Sequence, residues 1–198
     1  MNFNMDFKLF WALFSIVLTV IVFIPYIWDI FKKKTQPHIY TWLIWGILQS
    51  VATAAVLKGG GGYGSWSIAV GAFFCLSIFG LAFKYGTKNI KKFDLYCLIG
   101  AFLALIVYFL INNPLYSIIL VATIDFTAFL PTFRKGYEEP YTETLLTFML
   151  SALGNAISIL ALQNYSVTTM LYLITLFLTN SAFCIILLIG RNRTKKNN

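Results

Sequence analysis

The chain has 198 residues, 59% of them hydrophobic and only 11% charged, with a mean hydropathy of +0.78. An ordinary soluble domain carries about 25% charged residues, so the composition argues against a soluble enzyme, a secreted disulfide scaffold and a disordered chain. The net charge of +8 would suggest nucleic acid on a soluble protein, but on a membrane protein it reports topology.

Seven spans of about 20 residues account for about 140 residues and leave roughly 58 for tails and loops. Polar punctuation predicts them at 9–31, 39–57, 65–83, 95–111, 114–133, 144–162 and 167–190. Helices are expected, because unpaired strand backbone is not tolerated in lipid. The ten-residue alternation of a membrane barrel is absent.

The first span is too long for a cleaved signal, is flanked by Asp6 and Lys8, and has no A-x-A-like site before Lys32. It contains Pro25 and is followed by Lys32-Lys33-Lys34. The second opens with Trp42 and Trp45, which share a helix face. With Trp28 and Trp66 near other span ends, an interfacial aromatic belt is the default reading. Trp45 is also deep enough to stack on a ring-shaped solute. The run Gly59–Gly62 lacks the Gly-Lys-Ser/Thr of a phosphate loop and reads as a flexible connection. Asn112-Asn113-Pro114 predicts a tight turn between the fourth and fifth spans. A single transmembrane domain over 1–198 is expected, with no separate soluble domain.

With the N-terminus outside, the cytoplasmic side receives Lys32, Lys33, Lys34, Lys84, Lys88, Lys91, Lys92, Arg134, Lys135, Arg191, Arg193, Lys195 and Lys196. The outside receives Lys8 and Lys58. Positive charge is retained on the cytoplasmic side, so the sequence predicts an N-out, C-in chain and no nucleic-acid partner.

An internal repeat is visible. Phe23-Ile24-Pro25-Tyr26 is followed by a basic loop and Pro37-His38-Ile39-Tyr40-Thr41. Phe129-Leu130-Pro131-Thr132 is followed by Arg134-Lys135 and Pro140-Tyr141-Thr142-Glu143-Thr144. Pro25 and Pro131 lie 106 residues apart, whereas Pro37 and Pro140, and Thr41 and Thr144, lie 103 apart. Phe74-Cys75 and Phe183-Cys184 align the third and seventh spans. The fold expected is all-α, with two parallel triple-helix bundles, 9–84 and 114–191, joined by an inversion helix at 93–111. A substrate site between them near the midplane follows. Pro25 and Pro131 each remove a backbone hydrogen bond and, being paired across the repeat, read as hinges.

This 3+1+3 layout, with a Pro near the end of each half's first helix and a basic loop after it, resembles the SWEET / PQ-loop superfamily. That group includes sugar transporters, cystinosin-like amino-acid exporters and the more distant nicotinamide riboside transporters. The family Pro carries over to Pro25 and Pro131; the Gln of its Pro-Gln motif does not, since Tyr26 and Thr132 stand there. The pocket Asn of sugar-type members matches Asn180, with Gly71 at the approximate first-half position.

Asp125 is the sharpest single residue, the one acid well inside a span. An ionised group at a helix centre costs about 2.5–3.5 kcal/mol on insertion scales. It reads as a proton-coupling or substrate-binding carboxylate, as the resemblance to cystinosin-like members also implies, or as a structural acid held by hydrogen bonds. Gln49, Asn155 and Asn180 are the other mid-span polar side chains, suited to a polar solute or to joining helices. Thr19, the repeat equivalent of Asp125, and Thr123 are weaker members of the same set.

His38, the single histidine, reads as a loop residue rather than a ligand or proton relay. Asp29 has the spacing to pair with Lys32 or Lys33, and Glu138, Glu139 and Glu143 lie near Arg134 and Lys135. These charges suit a cytoplasmic gate, although exposed pairs contribute little. Cys75, Cys97 and Cys184 are isolated fillers without metal or disulfide spacing. No cofactor, metal or catalytic constellation is expected. The reading is a small-solute carrier of the bacterial inner membrane, monomeric or homodimeric, using alternating access with or without proton coupling. Two alternatives stay open: a nicotinamide riboside-type vitamin or nucleoside carrier with stacking at Trp45, and a non-transporting receptor or scaffold.

Overall fold

A computed structural model describes residues 3–111 and 113–196. Asn112 of the expected turn lies outside the described residues. Seven helices follow in chain order: α1 (Phe3–Phe31), α2 (Ile39–Lys58), α3 (Trp66–Tyr85), α4 (Lys92–Leu110), α5 (Pro114–Glu138), α6 (Leu145–Leu160) and α7 (Val167–Lys196). Six are long and apolar enough to cross a membrane; α6, with 16 residues, is the shorter one. At 1.5 Å per residue α6 reaches about 24 Å, against a hydrocarbon core of about 30 Å.

Local chemistry sets the ends. Asn113 caps α5, its Oδ1 accepting from Leu115 N at 3.0 Å and Tyr116 N at 3.3 Å. Pro114, at the first helical position, has no amide hydrogen to satisfy. Asp94, in the first turn of α4, accepts from Lys91 N at 2.8 Å and so serves an otherwise orphaned donor. The glycine run turns the chain after α2, with positive φ at Gly60 (79°) and Gly62 (51°), a conformation that glycine reaches without steric cost. α5 extends past the predicted end at 133, because Arg134, Lys135 and Glu138 find partners on neighbouring segments.

α3 packs against both α1 and α2, and α7 against both α5 and α6. Between these groups α1 meets α6 and α2 meets α5, while α4 lies chiefly on α5. The outward face of α1 shows Phe7, Phe10, Phe14, Val17, Ile21, Ile24, Trp28 and Phe31 exposed. Their three- and four-residue spacing forms one stripe. The core is aromatic at its centre: Trp45 lies 4.4 Å from Phe129, and Phe148 lies 4.4 Å from Phe183, between ring centroids.

α2 and α6 begin at 39 and 145, an offset of 106, the same as between Pro25 and Pro131. The same offset takes Thr41 to Thr147, while Thr144 stands 103 residues after Thr41. Pro37 stands two residues before α2 and Pro140 five residues before α6.

Candidate functional site

A cavity lies between the helices, with about 70 Å³ open to water centres. One water needs roughly 10–15 Å³ on this measure, so it has room for a handful of waters. Phe23, Trp42, Trp45, Phe129 and Phe148 supply its aromatic walls. Gln49, Asn155 and Asn180 line it together, from α2, α6 and α7, with Thr19 and Ser151 beside them. Among the described residues, no charged side chain lines it.

The amides are held in place. Asn155 Nδ2 donates to Ser151 O at 2.8 Å and Asn180 Nδ2 to Leu176 O at 2.7 Å. Each back-bond fixes a side chain to its own helix. Gln49 Nε2 donates to Cys75 Sγ at 3.1 Å. Gly71 makes room for it, since a Cβ there would collide with Gln49 Oε1. Trp42 and Trp45 are buried, at 3% and 5% exposure, whereas Trp28 and Trp66 are exposed near helix ends. The belt reading therefore fails for the first two, which point inward, and suits the others. Trp45 Nε1 is buried without a hydrogen-bond partner.

Asp125 does not line the cavity. It is fully buried, with Oδ1 accepting from Tyr172 OH at 3.3 Å. Its Oδ2 has no partner. Cys75 does line the cavity. Thr123, by contrast, is exposed on α5 and bonds back to Ile119 O.

The end carrying most basic residues is closed by ion pairs. Below Phe23 and Trp42 lies Tyr26, whose OH donates to Glu143 Oε2 at 3.1 Å. Glu143 Oε1 accepts from Lys135 Nζ at 2.7 Å, and these two side chains are 1% and 0% exposed. The ammonium also donates to Gln36 O at 2.5 Å and Thr142 O at 3.2 Å, so all three of its hydrogens are used. Beside it, Arg134 grips Asp94 through Nη2 at 2.6 Å and Nε at 3.2 Å, and Glu138 through Nη1 at 2.7 Å. Asp29 accepts from Thr144 Oγ1 at 2.9 Å in place of the expected lysine pairing.

His38 belongs to this cluster. It is fully buried, and its Nε2 lies 3.1 Å from Asp94 Oδ2. The neutral tautomer with hydrogen on Nε2 satisfies both groups. Burial holds the imidazole below the usual histidine range, against the opposing pull of Asp94. The loop reading was right about its place in the chain, but the 36–38 segment is folded inward, with Thr87 N donating to Pro37 O at 3.0 Å.

The opposite end is bridged by neutral contacts and one lysine. Ser67 Oγ and Ser158 Oγ lie 2.8 Å apart, joining α3 and α6. Gln163 N donates to Gly61 O at 3.3 Å, and Lys8 Nζ bonds Leu162 O.

Sequence reasoning missed Asp94, Arg134's grip on it, Tyr172 and Thr147. Asp94 fell just ahead of the predicted span, where an acid in a first helical turn is commonplace. Lys91 at the helix start has no side-chain acceptor to complete a capping box with it, so no capping signature marked it. Comparison with protein-family models, curated proteins and solved structures found no match in any of the three.

Proposed function

We propose that the chain is a membrane transporter that moves a small polar solute by alternating access, on a SWEET / PQ-loop-like plan. The two moving units are 9–84 and 114–191, the helix 93–111 joins them, and Pro25 and Pro131 are the hinges. The orientation is N-out and C-in in a bacterial inner membrane, following the partition of basic residues. The carrying observation is the central cavity, in which Gln49, Asn155 and Asn180 from both units meet over an aromatic lining. The contacts of α1 with α6 and of α2 with α5 support this layout, because they cross between the units. The basic end is held by charge pairs and the other end mainly by neutral bonds, so the latter opens at lower cost.

Asp125 is the proton-coupling group in this reading. Its unpartnered Oδ2 gives a proton a place to reside, and Tyr172 fixes the carboxyl. The test is uptake into proteoliposomes of a panel of labelled sugars, amino acids and nucleosides, with Asp125→Asn compared across a pH series. The parent is expected to show pH-dependent flux of one solute class, and the variant to lose that dependence. An unchanged rate with an unchanged pH profile removes the coupling role. Binding without flux favours the receptor or scaffold.

One observation favours the nicotinamide riboside-type alternative. Trp45 Nε1 is a buried donor without an acceptor, beside rings able to stack on a heteroaromatic solute. Trp45→Phe keeps an aromatic ring and removes the donor. It is expected to weaken nucleoside binding about tenfold in calorimetry on purified protein, by roughly the 1–3 kcal/mol that an unmade buried hydrogen bond costs. Equal binding by Trp45→Phe and the parent rules out that use of the indole.

A further inference from the structure

Each Pro-bearing helix is bonded near its Pro by a threonine from the other unit. Pro25 has no amide hydrogen for Ile21 O, and Pro131 has none for Thr127 O. One residue further along, the next carbonyl of each helix accepts a hydroxyl from outside it. Val22 O accepts from Thr147 Oγ1 at 3.3 Å, and Ala128 O accepts from Thr41 Oγ1 at 3.2 Å. Both carbonyls stand three residues before their Pro. Both threonines are buried, at 2% and 0% exposure. The two bonds are copies: Val22 to Ala128, Pro25 to Pro131 and Thr41 to Thr147 are each separated by 106 residues. They run in opposite directions across one interface, from α6 to α1 and from α2 to α5.

We propose that Thr41 and Thr147 are reciprocal hinge ties that make bending at Pro25 and at Pro131 a single coupled motion. The inference rests on the alternating-access reading above. A helix that bends at its Pro must move the carbonyl in the preceding turn, and that carbonyl is held by the opposite unit. Because each unit both gives a tie and receives one, separation of α2 from α5 and of α6 from α1 breaks both bonds together. Thr132 Oγ1, next to Pro131, donates to Thr41 Oγ1 at 3.0 Å. With that lone pair occupied, the one hydroxyl hydrogen of Thr41 has two acceptors within reach, Ala128 O at 3.2 Å and His38 Nδ1 at 3.5 Å, and Ala128 O is the nearer.

The experiment uses the full chain in lipid nanodiscs with Cys97→Ser and Cys184→Ser. Cys75, which lines the cavity, is then the remaining thiol of the three in the sequence. The readout is its rate of modification by N-ethylmaleimide at fixed pH, which reports how often the cavity opens to water. Thr41→Val and Thr147→Val remove each hydroxyl and keep the shape.

Each is expected to raise the rate about fivefold, the effect of one neutral hydrogen bond. For one coupled motion the effects multiply, so the double variant reacts about 25-fold faster. Independent hinges give separate routes whose rates add, so the double variant would gain only about as much as one tie is worth. That additive result, or unchanged rates, overturns the proposal. Thr41→Ser and Thr147→Ser keep the hydroxyl and are expected to return the rate toward the parent's.

If a valine variant fails to fold, Pro25→Ala and Pro131→Ala ask the same question. Under coupling each alone slows modification severalfold. A slowing of less than twofold from each, with a large loss only in the double variant, is the independent-hinge result and overturns the proposal. Should Cys75 in the parent react only as fast as the protein unfolds, alternating access itself fails and the ties fail with it.

Discussion

Glu143→Ala is expected to lower folding stability by about 3–5 kcal/mol, the range for removing one partner of a buried ion pair. Lys135 is fully buried, and in this variant its ammonium keeps only Gln36 O and Thr142 O as partners. Tyr26 OH loses its acceptor in the same step. Neutralising both partners is a different experiment. Lys135→Met with Glu143→Leu removes two desolvated charges and is expected to lie within about 2 kcal/mol of the parent, because a well-packed apolar pair often matches a buried ionic one. Denaturant unfolding of the purified protein in mild detergent measures both. A Glu143→Ala loss below about 1 kcal/mol would mean that water reaches the pair.

The second large effect centres on Asp94. This carboxylate takes two bonds from Arg134, one from His38 and one from Lys91 N, so it ties α4 to α5 and to the entry of α2. Asp94→Asn discards the charge that Arg134 and the histidine need, and is expected to cost about 3 kcal/mol, as for breaking a charge-assisted buried cluster. The cluster also gives stability a pH dependence. The folded-state pKa of His38 is lowered by burial, so the unfolded chain takes up the proton more readily. Stability is therefore full above about pH 6.5, the ordinary histidine value, and falls as pH drops toward the folded value. Arg134 and Lys135 add to this by repelling an imidazolium. His38→Gln is expected to show a shallower fall in melting temperature between pH 7.5 and pH 5.5. Identical slopes in variant and parent would assign the acid sensitivity to other groups.

The spans were legible because apolarity at this length has few alternatives. The predicted 39–57 is matched by Ile39–Lys58, and the predicted 144–162 by Leu145–Leu160. Asp125 stood out because a lone acid among apolar residues is costly. Its bond to Tyr172 was not legible, since contacts between α5 and α7 leave no periodic mark in the sequence. Gln49 and Asn155 share one cavity, as their places in corresponding spans suggested, and Asn180 joins them, while Asp125 is not part of its lining. His38 shows the commonest failure: a polar residue beside Pro in a basic loop looks solvated, and only the fold reveals that the loop turns inward. The offset of 106 between Pro25 and Pro131 recurs between the starts of α2 and α6, which the offset of 103 between Pro37 and Pro140 had hidden. Hydroxyls such as Thr147 carry no signal of their own until the helix they face is known.

Gly71 on α3 has no side chain, whereas Asn180 on α7 carries an amide. Opposite them, Gln49 is a methylene longer than Asn155. The missing bulk of Gly71 admits the longer amide of Gln49, which reaches Cys75, while Asn180 and Asn155 each fold back on their own backbone. The walls of the cavity are thus alike in outline and unlike in chemistry. A molecule turned end over end between them would meet a thiol-bound amide where it had met two helix-bound ones. A single chain permits this lopsidedness, which two identical subunits related by symmetry would have to forgo. The cavity has a head and a tail, and on the carrier reading a solute with unlike ends would have one preferred way to lie in it.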